Sequence, residues 1–252
     1  MSNRIATYRS ELAAATPEEV IRWAARTFPG RTALTSSFGP EDQVLVALAA
    51  PHARSMRIVT LDTGRLFPET YDLMHETSIR YGVDIEVFFP DAADIESMVA
   101  EEGINLFRTG TAARKRCCEV RKVRPLRRAL RGMDAWITGL RRDQSETRGR
   151  AEVVEWDEDI GLVKIDPLVD WSEADVWRHI REHDVPFSVL HERGFRSIGC
   201  APCTRAVLPG EDERAGRWWW ESPDEKECGL HRRPDEAAPD VSVSPLAAGG
   251  EA

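Results

Sequence analysis

The sequence predicts an α/β fold built on a doubly wound, mostly parallel sheet. Short apolar runs alternate with helix-length segments along most of the chain, the pattern of successive βα units. Polar, glycine-containing turns follow several of those runs. With 252 residues, 42% of them apolar, the chain is long enough to bury one large core or two small ones.

Thr32-Ala33-Leu34-Thr35 reads as the first strand, and Glu41 to Ala50 as a helix with Val44, Leu45 and Leu48 on one face. Met56 to Leu61 is a second strand, followed by a helix from Pro68 to Tyr81 that opens on a first-turn proline. Val83 to Phe89 forms a third strand and precedes an acidic helix that ends near Glu102. A basic helical stretch over 118–131 leads to a fourth strand at Ala135-Trp136-Ile137-Thr138. Val153 to Ile165 holds two apolar runs around Asp157-Glu158-Asp159, a hairpin pattern. Ser172, with Asp175 behind it, has the spacing of a capping box opening another helix. Residues 1–233 read as one α/β domain with a C-terminal segment, and 234–252, poor in large apolar residues, as a disordered tail. There are no internal repeats.

Composition narrows the function classes. A formal charge of −9 argues against a broad nucleic-acid surface, although arginines cluster around 114–131, 141–150 and 205–217. No run approaches the roughly 18 apolar residues of a membrane span. Met1-Ser2-Asn3-Arg4 lacks the apolar stretch of a signal peptide, so the expected location is cytoplasmic, with neither membrane nor nucleic acid as partner. In that compartment paired cysteines more often serve metal or redox chemistry than structural disulfides.

Three loops sit where ligands bind in such sheets, at the carboxyl ends of strands. Ser36-Ser37-Phe38-Gly39-Pro40-Glu41-Asp42 joins the first strand to a helix N-terminus, where free N–H groups and the helix dipole favour an anion. It matches neither standard nucleotide motif, and alone it reads better as an ordinary βα turn. Leu61-Asp62-Thr63-Gly64 and Thr138-Gly139-Leu140-Arg141-Arg142-Asp143 end the second and fourth strands. Together the three loops suggest a nucleotide pocket. Arg141 and Arg142 read either as partners for phosphate or sulfate oxygens or as solvated surface arginines.

Four of the five cysteines fall into two pairs, Cys117-Cys118 and Cys200-Ala201-Pro202-Cys203. Cys-x-x-Cys on a turn brings its two sulfurs to one side, whereas adjacent cysteines diverge on a regular helix, so joint use of all four demands a local distortion. Structural zinc usually draws on two spaced pairs, and a bulkier four-iron cluster takes thiolates at separate corners. Buried free cysteines are the bland alternative. Cys228 stands alone with Lys226, His231, Arg232 and Arg233 nearby, neighbours that favour a reactive thiolate; an incidental surface cysteine is the competing reading. Trp218-Trp219-Trp220 reads as packing before it reads as an adenine platform.

Taken in order, the three loops (the last extended through Gln144-Ser145), the Cys117-Cys118 pair, Ile198-Gly199-Cys200-Ala201-Pro202-Cys203 and Glu227-Cys228-Gly229-Leu230-His231 resemble the assimilatory adenylylsulfate (APS) reductases. These form the iron–sulfur branch of the phosphoadenylylsulfate (PAPS) reductase family. The resemblance spans roughly residues 16 to 232. It implies a fold like that of the ATP pyrophosphatases and adenine nucleotide alpha hydrolases, and a 4Fe-4S cluster on Cys117, Cys118, Cys200 and Cys203. It implies that APS is bound by Ser36, Ser37, Phe38, Gly39, Asp62, Thr63, Gly64, Gly139, Arg141, Arg142, Arg214 and Arg217. Cys228 would be the nucleophile, with His231 and Lys122 completing the catalytic set and thioredoxin or a related dithiol protein as reductant. Lys122, four residues after Cys118, would project near the cluster from a continuing helix. Two features depart from the resemblance: Asp166 stands where Asn often precedes Pro-Leu, and the acidic tail extends past Arg233.

Three rival readings compete. PAPS reduction is disfavoured because that branch lacks both cysteine pairs. A tRNA-thiolating enzyme would need a Ser-Gly-Gly-x-Asp-Ser loop, which Phe38 and Pro40 interrupt. An iron–sulfur sensor would have no use for Cys228 or the aligned loops. Homo-oligomerisation is left open.

Overall fold

The computed structural model describes residues 2–52, 55–145 and 148–222. Its centre is a sheet of six strands in the order β3-β2-β1-β4-β6-β5. The strands are β1 (Thr32–Thr35), β2 (Arg57–Leu61), β3 (Ile85–Phe88), β4 (Ala135–Ile137), β5 (Val154–Asp157) and β6 (Leu162–Ile165). All neighbours pair in parallel except β5, which runs antiparallel to β6 as a hairpin at one edge. The expected parallel sheet, its strands and the hairpin are therefore present, with β3 shorter than the apolar run suggested.

Successive strand residues face opposite sides, and both sides are covered. Leu34, Ile58, Ile137 and Ile165 pack with α2 (Pro17–Thr27), α3 (Pro40–Ala49) and α8 (Glu173–Glu182) in one core. Ala33, Val59 and Trp136 meet Leu126, Ala129 and Leu130 on the other face. That second layer includes α7 (Arg124–Ala129), which packs on β2 and β3. Helix α4 (Pro68–Tyr81) ends at Gly82, whose φ of 61° is the left-handed conformation a glycine cap adopts readily. The predicted box at Ser172 forms: its hydroxyl accepts from Asp175 N, and the Asp175 carboxylate accepts from Ser172 N at 2.9 Å.

Two N-terminal helices had not been anticipated. Helix α1 (Ser2–Leu12) lies against β5, and α2 opens on a complete capping box between Thr16 and Glu19. A second difference concerns the basic stretch. It begins earlier, as α6 (Thr111–Cys118), passes through a π-helical turn at Glu119–Val123, and only then becomes α7. Helix α5 (Ala92–Glu102) packs against that turn. No described helix is long and apolar enough to cross a membrane.

Candidate active site

The direction of winding reverses between β1 and β4, and the crevice outside such a switch point is where open α/β sheets bind ligands. The loops after these two strands flank it. In the first, Asp42 Oδ2 accepts from Ser37 N at 2.6 Å and from Ser37 Oγ at 2.7 Å, while Ser36 Oγ accepts from Phe38 N at 3.2 Å. Phe38 adopts a φ of 62°, a conformation costly for a side-chain-bearing residue, and its ring is buried. Gly39 begins α3 without any side-chain cap. Burial pushes Asp42 up to about 6 despite the two bonds from Ser37.

The second crevice wall approaches the first very closely. A Cβ at Gly139 would stand 2.5 Å from Asp42 Oδ1 and 2.9 Å from Glu41 Cβ, so only glycine fits. Arg141 is fully buried and does not reach solvent as an open anion site. Its Nε donates to Glu41 Oε1 at 2.8 Å, and Nη2 lies 3.4 Å from Glu213 Oε2. Burial and the nearby Glu41 charge raise the Glu213 carboxyl to about 7, against the pull of Arg141. Arg142 turns elsewhere, donating to the Ala151 carbonyl at 2.6 Å and pairing with Asp170. Both arginines of this loop are thus engaged by the protein's own groups rather than presented to the crevice.

The loop after β2 joins the crevice to the cysteines. Asp62 accepts from Gly64 N at 2.7 Å and from the Tyr71 hydroxyl at 3.0 Å, holding the turn at Gly64, whose φ is 69°. The Thr63 carbonyl accepts from Arg121 Nη1 at 2.7 Å, and Thr63 Oγ1 lies 3.2 Å from Cys200 Sγ. Ala201 N donates to the Arg65 carbonyl at 2.8 Å, which closes the contact.

Cys117, Cys118, Cys200 and Cys203 line one cavity, all as free thiols. The π-helical turn follows Cys118 directly, but Cys117 and Cys118 themselves end a regular α-helix, Cys118 with φ −67° and ψ −38°, so the distortion expected at the pair itself is not found. Across from it, Cys200 and Cys203 bracket a single 3₁₀ turn, with Cys203 N donating to the Cys200 carbonyl at 2.9 Å. Arg65, Arg114, Arg121, Lys122 and Arg217 also line the cavity. Burial raises the Cys117 thiol, and burial together with Cys200 pushes Cys203 up to about 12. Among the described residues no three His, Cys, Asp or Glu side chains converge tightly enough for a single metal ion. Four thiols spread round one cavity and ringed by cations instead suit a larger group that takes a thiolate at each corner and carries net negative charge.

Arg217 is buried against Gly199, where a Cβ would stand 2.5 Å from its guanidinium carbon, and it donates to the Ile198 carbonyl at 3.1 Å. Arg214 is half-buried in the preceding turn and does not line the thiol cavity. Trp218 packs with the cysteines, Trp219 is partly exposed, and Trp220 lies tilted beside Phe107 with ring centres 6.2 Å apart. Cys228 and His231, as well as the tail 234–252, lie outside the described residues. Sequence reasoning missed Arg65, Arg114, Arg121 and Glu213, because arginines and glutamates are too common here for any one to stand out.

The sequence matches the phosphoadenosine phosphosulfate reductase domain family over residues 31–206. The chain belongs to this family. Among family members, the adenosine 5'-phosphosulfate reductase of Agrobacterium fabrum is 48% identical over 216 residues, which is 86% of this chain and 83% of the relative. The enzyme of the same name from Allochromatium vinosum is 52% identical over 79% of this chain and 77% of its own length. A crystal structure of the phosphoadenylyl-sulfate reductase from Candida auris, in a phosphate complex, superposes with a TM-score of 0.70 at 28% identity, covering 82% of this chain and 98% of that one. Yeast FAD synthetase shares the fold alone, with a TM-score of 0.51 at 18% identity over 80% of this chain and 65% of that one.

Proposed function

We propose that this member of the family reduces adenosine 5'-phosphosulfate to sulfite and AMP, in the cytoplasm, with a dithiol protein such as thioredoxin as reductant. The observation that carries the reading is the joining of a strand-end loop to a four-thiol cavity through Thr63 and Cys200. Relatives named for APS reduction stand at 48% and 52% identity, against 28% for a structural neighbour named for PAPS reduction. That difference favours the substrate without a 3'-phosphate.

In this reading the nucleotide lies in the crevice between β1 and β4, with its phosphosulfate towards the thiol cavity. In the loop over Ser36–Gly39 the N–H groups of Ser36, Ser37 and Phe38 are already bonded within the protein, so Lys122 and Arg217 are the fixed cations offered to charge that persists through the reaction. Cys228 attacks the sulfate sulfur as thiolate: an S–S bond forms, the S–O bond to AMP breaks, and AMP departs with that electron pair. A thiol of the reductant then attacks Cys228 Sγ, sulfite leaves with the S–S bonding pair, and the reductant's second thiol resolves the mixed disulfide. His231 and Arg214 belong to the substrate-contacting set on the strength of the motif alone. Cys117, Cys118, Cys200 and Cys203 are the residues that would hold a 4Fe-4S cluster. Such a cluster supplies a rigid cross-link and local charge, since the electrons come from the dithiol.

Anaerobic purification with iron and sulfide assays, followed by sulfite release from APS and from PAPS, tests the reading. Iron near four per chain with turnover of APS supports it. Stoichiometric zinc in place of iron, or turnover of PAPS alone, overturns it.

A further inference from the structure

The most completely buried ion pair of the thiol region takes no part in the bond-making steps above, although its arginine lines the thiol cavity. Arg114, on α6, is fully buried, and the Glu221 side chain is 3% exposed. Three bonds join them: Arg114 Nε lies 3.1 Å from Oε1 and 3.2 Å from Oε2, and Nη2 lies 2.7 Å from Oε2. The same guanidinium is close enough to Cys118 to feel its charge and sits 4.5 Å from the centre of the Trp218 ring. Arg217 approaches that ring too, at 4.7 Å.

Trp218 is held in an unusual conformation, with a φ of 39°. Its N–H donates to the Cys203 carbonyl at 3.2 Å, and its own carbonyl accepts from Glu221 N at 2.8 Å. A strained turn of this kind persists only where its surroundings over-determine it. Here a cysteine carbonyl fixes one end and the Arg114–Glu221 pair the other.

Glu221 precedes Cys228 by seven residues. A chain spans at most about 3.3–3.6 Å per residue, so the position of Glu221 bounds where the Cys228 sulfur can reach. A buried ion pair is also an inefficient source of stability, because apolar residues of equal volume usually do as well or better. Its geometry suits orientation instead.

We propose that the Arg114–Glu221 pair is a positioning pair for the catalytic segment: it ties the point from which the Cys228 segment departs to the helix that carries Cys117 and Cys118. The proposal rests on the reading of Cys228 as the nucleophile. It assigns to Arg114 and Glu221 no contact with substrate.

Glu221→Gln, which keeps the shape and removes the charge, is the principal test, with Arg114→Lys as the second variant should the first fail to fold. The variant is expected to keep wild-type iron content, and in a Cys228→Ser background to bind APS within twofold of the parent. Single-turnover formation of the SO₃ adduct on Cys228 should slow at least tenfold, with kcat falling and KM nearly unchanged. Without nucleotide, iodoacetamide should alkylate Cys228 several-fold faster than in the wild type, read by peptide mass. Wild-type adduct rates in an iron-replete variant, or losses that simply track iron loss, overturn the proposal. Should the wild type itself form no adduct, the assigned activity falls instead. The alkylation comparison then decides the anchor alone, equal rates refuting it and faster modification in the variant upholding it.

Discussion

The Thr63 hydroxyl lies 3.2 Å from the Cys200 sulfur, so the turn that ends β2 bears directly on the wall of the thiol cavity. Because the Arg121 guanidinium also holds the Thr63 carbonyl, a disturbance on either side of this junction is felt on the other.

Cysteine substitutions should separate two roles. Cys203→Ser is expected to lose the iron and to lower the melting temperature, since a buried wall of the cavity is left without its cross-link. Cys228→Ser should keep full iron content and bind APS, yet form no covalent SO₃ adduct, because a hydroxyl is a far poorer nucleophile than a thiolate. Iron assay and intact-mass analysis after APS treatment check both. An adduct on Cys117, Cys118, Cys200 or Cys203 would reverse the assignment.

Gly199→Ala should act by evicting Arg217, since the added methyl would stand 2.5 Å from the guanidinium carbon. Loss of one charge-assisted contact of roughly 1.5–3 kcal/mol predicts a ten- to hundredfold fall in kcat/KM. Arg217→Ala should fall by a similar factor. The double variant is expected to be no worse than either single one, because the methyl then meets no side chain. Additive losses in that cycle would show that Gly199 serves another purpose.

At Gly139 the obstacle is the Asp42 carboxylate and the Glu41 side chain. Gly139→Ala should push Asp42 off Ser37 and open the loop between β1 and α3. The expected cost is about 1–3 kcal/mol of stability, the usual range for overpacking. APS affinity should drop with it, and calorimetry of nucleotide binding alongside a urea melt would separate the two effects.

Asp166, fully buried beside Thr138 and Lys164, is held up at about 6 by desolvation, which outweighs Lys164 and the Thr138 hydroxyl. A carboxyl with a raised folded-state pKa binds its proton more tightly in the native protein. Its contribution to stability is therefore fullest below the unfolded value near 4 and falls as pH rises towards 6. Asp166→Asn removes that dependence while an amide oxygen still accepts from Thr138. The variant should match or exceed the wild type above pH 7, by up to roughly 2–3 kcal/mol, and show a flatter stability profile between pH 4 and 6. Chemical denaturation across that range checks it; a variant less stable at pH 8 would mean that Lys164 depends on the carboxylate.

The sheet was legible because its strands are short apolar runs bounded by glycine and hydroxyl residues, and because a parallel interior needs both faces apolar. Helix α1 was not, since among its described side chains only Ile5 and Leu12 are buried and its pattern is mostly polar. The capping box at Thr16 and Glu19 did carry a readable signal for α2. In the site, the cysteines announced themselves by spacing, whereas the distortion expected at the adjacent pair comes only after it, at Glu119–Val123. Which distortion, and which arginines would turn inward, depended on packing between distant segments. Arg114 meets Glu221 across more than a hundred residues, and no local pattern encodes that meeting.

The π-helical turn at Glu119–Val123 has a consequence for the rod it interrupts. Before it, Cys117 and Cys118 face the thiol cavity; after it, Leu126 and Ala129 face the sheet. One continuous helical run thus serves two cores by shifting phase between them. Deleting a single residue from 119–123 should restore regular α-helical winding and rotate one core's side chains out of register. Such a deletion would be more harmful than most substitutions in the same segment, and chain length there is as much a part of the design as the cysteines themselves.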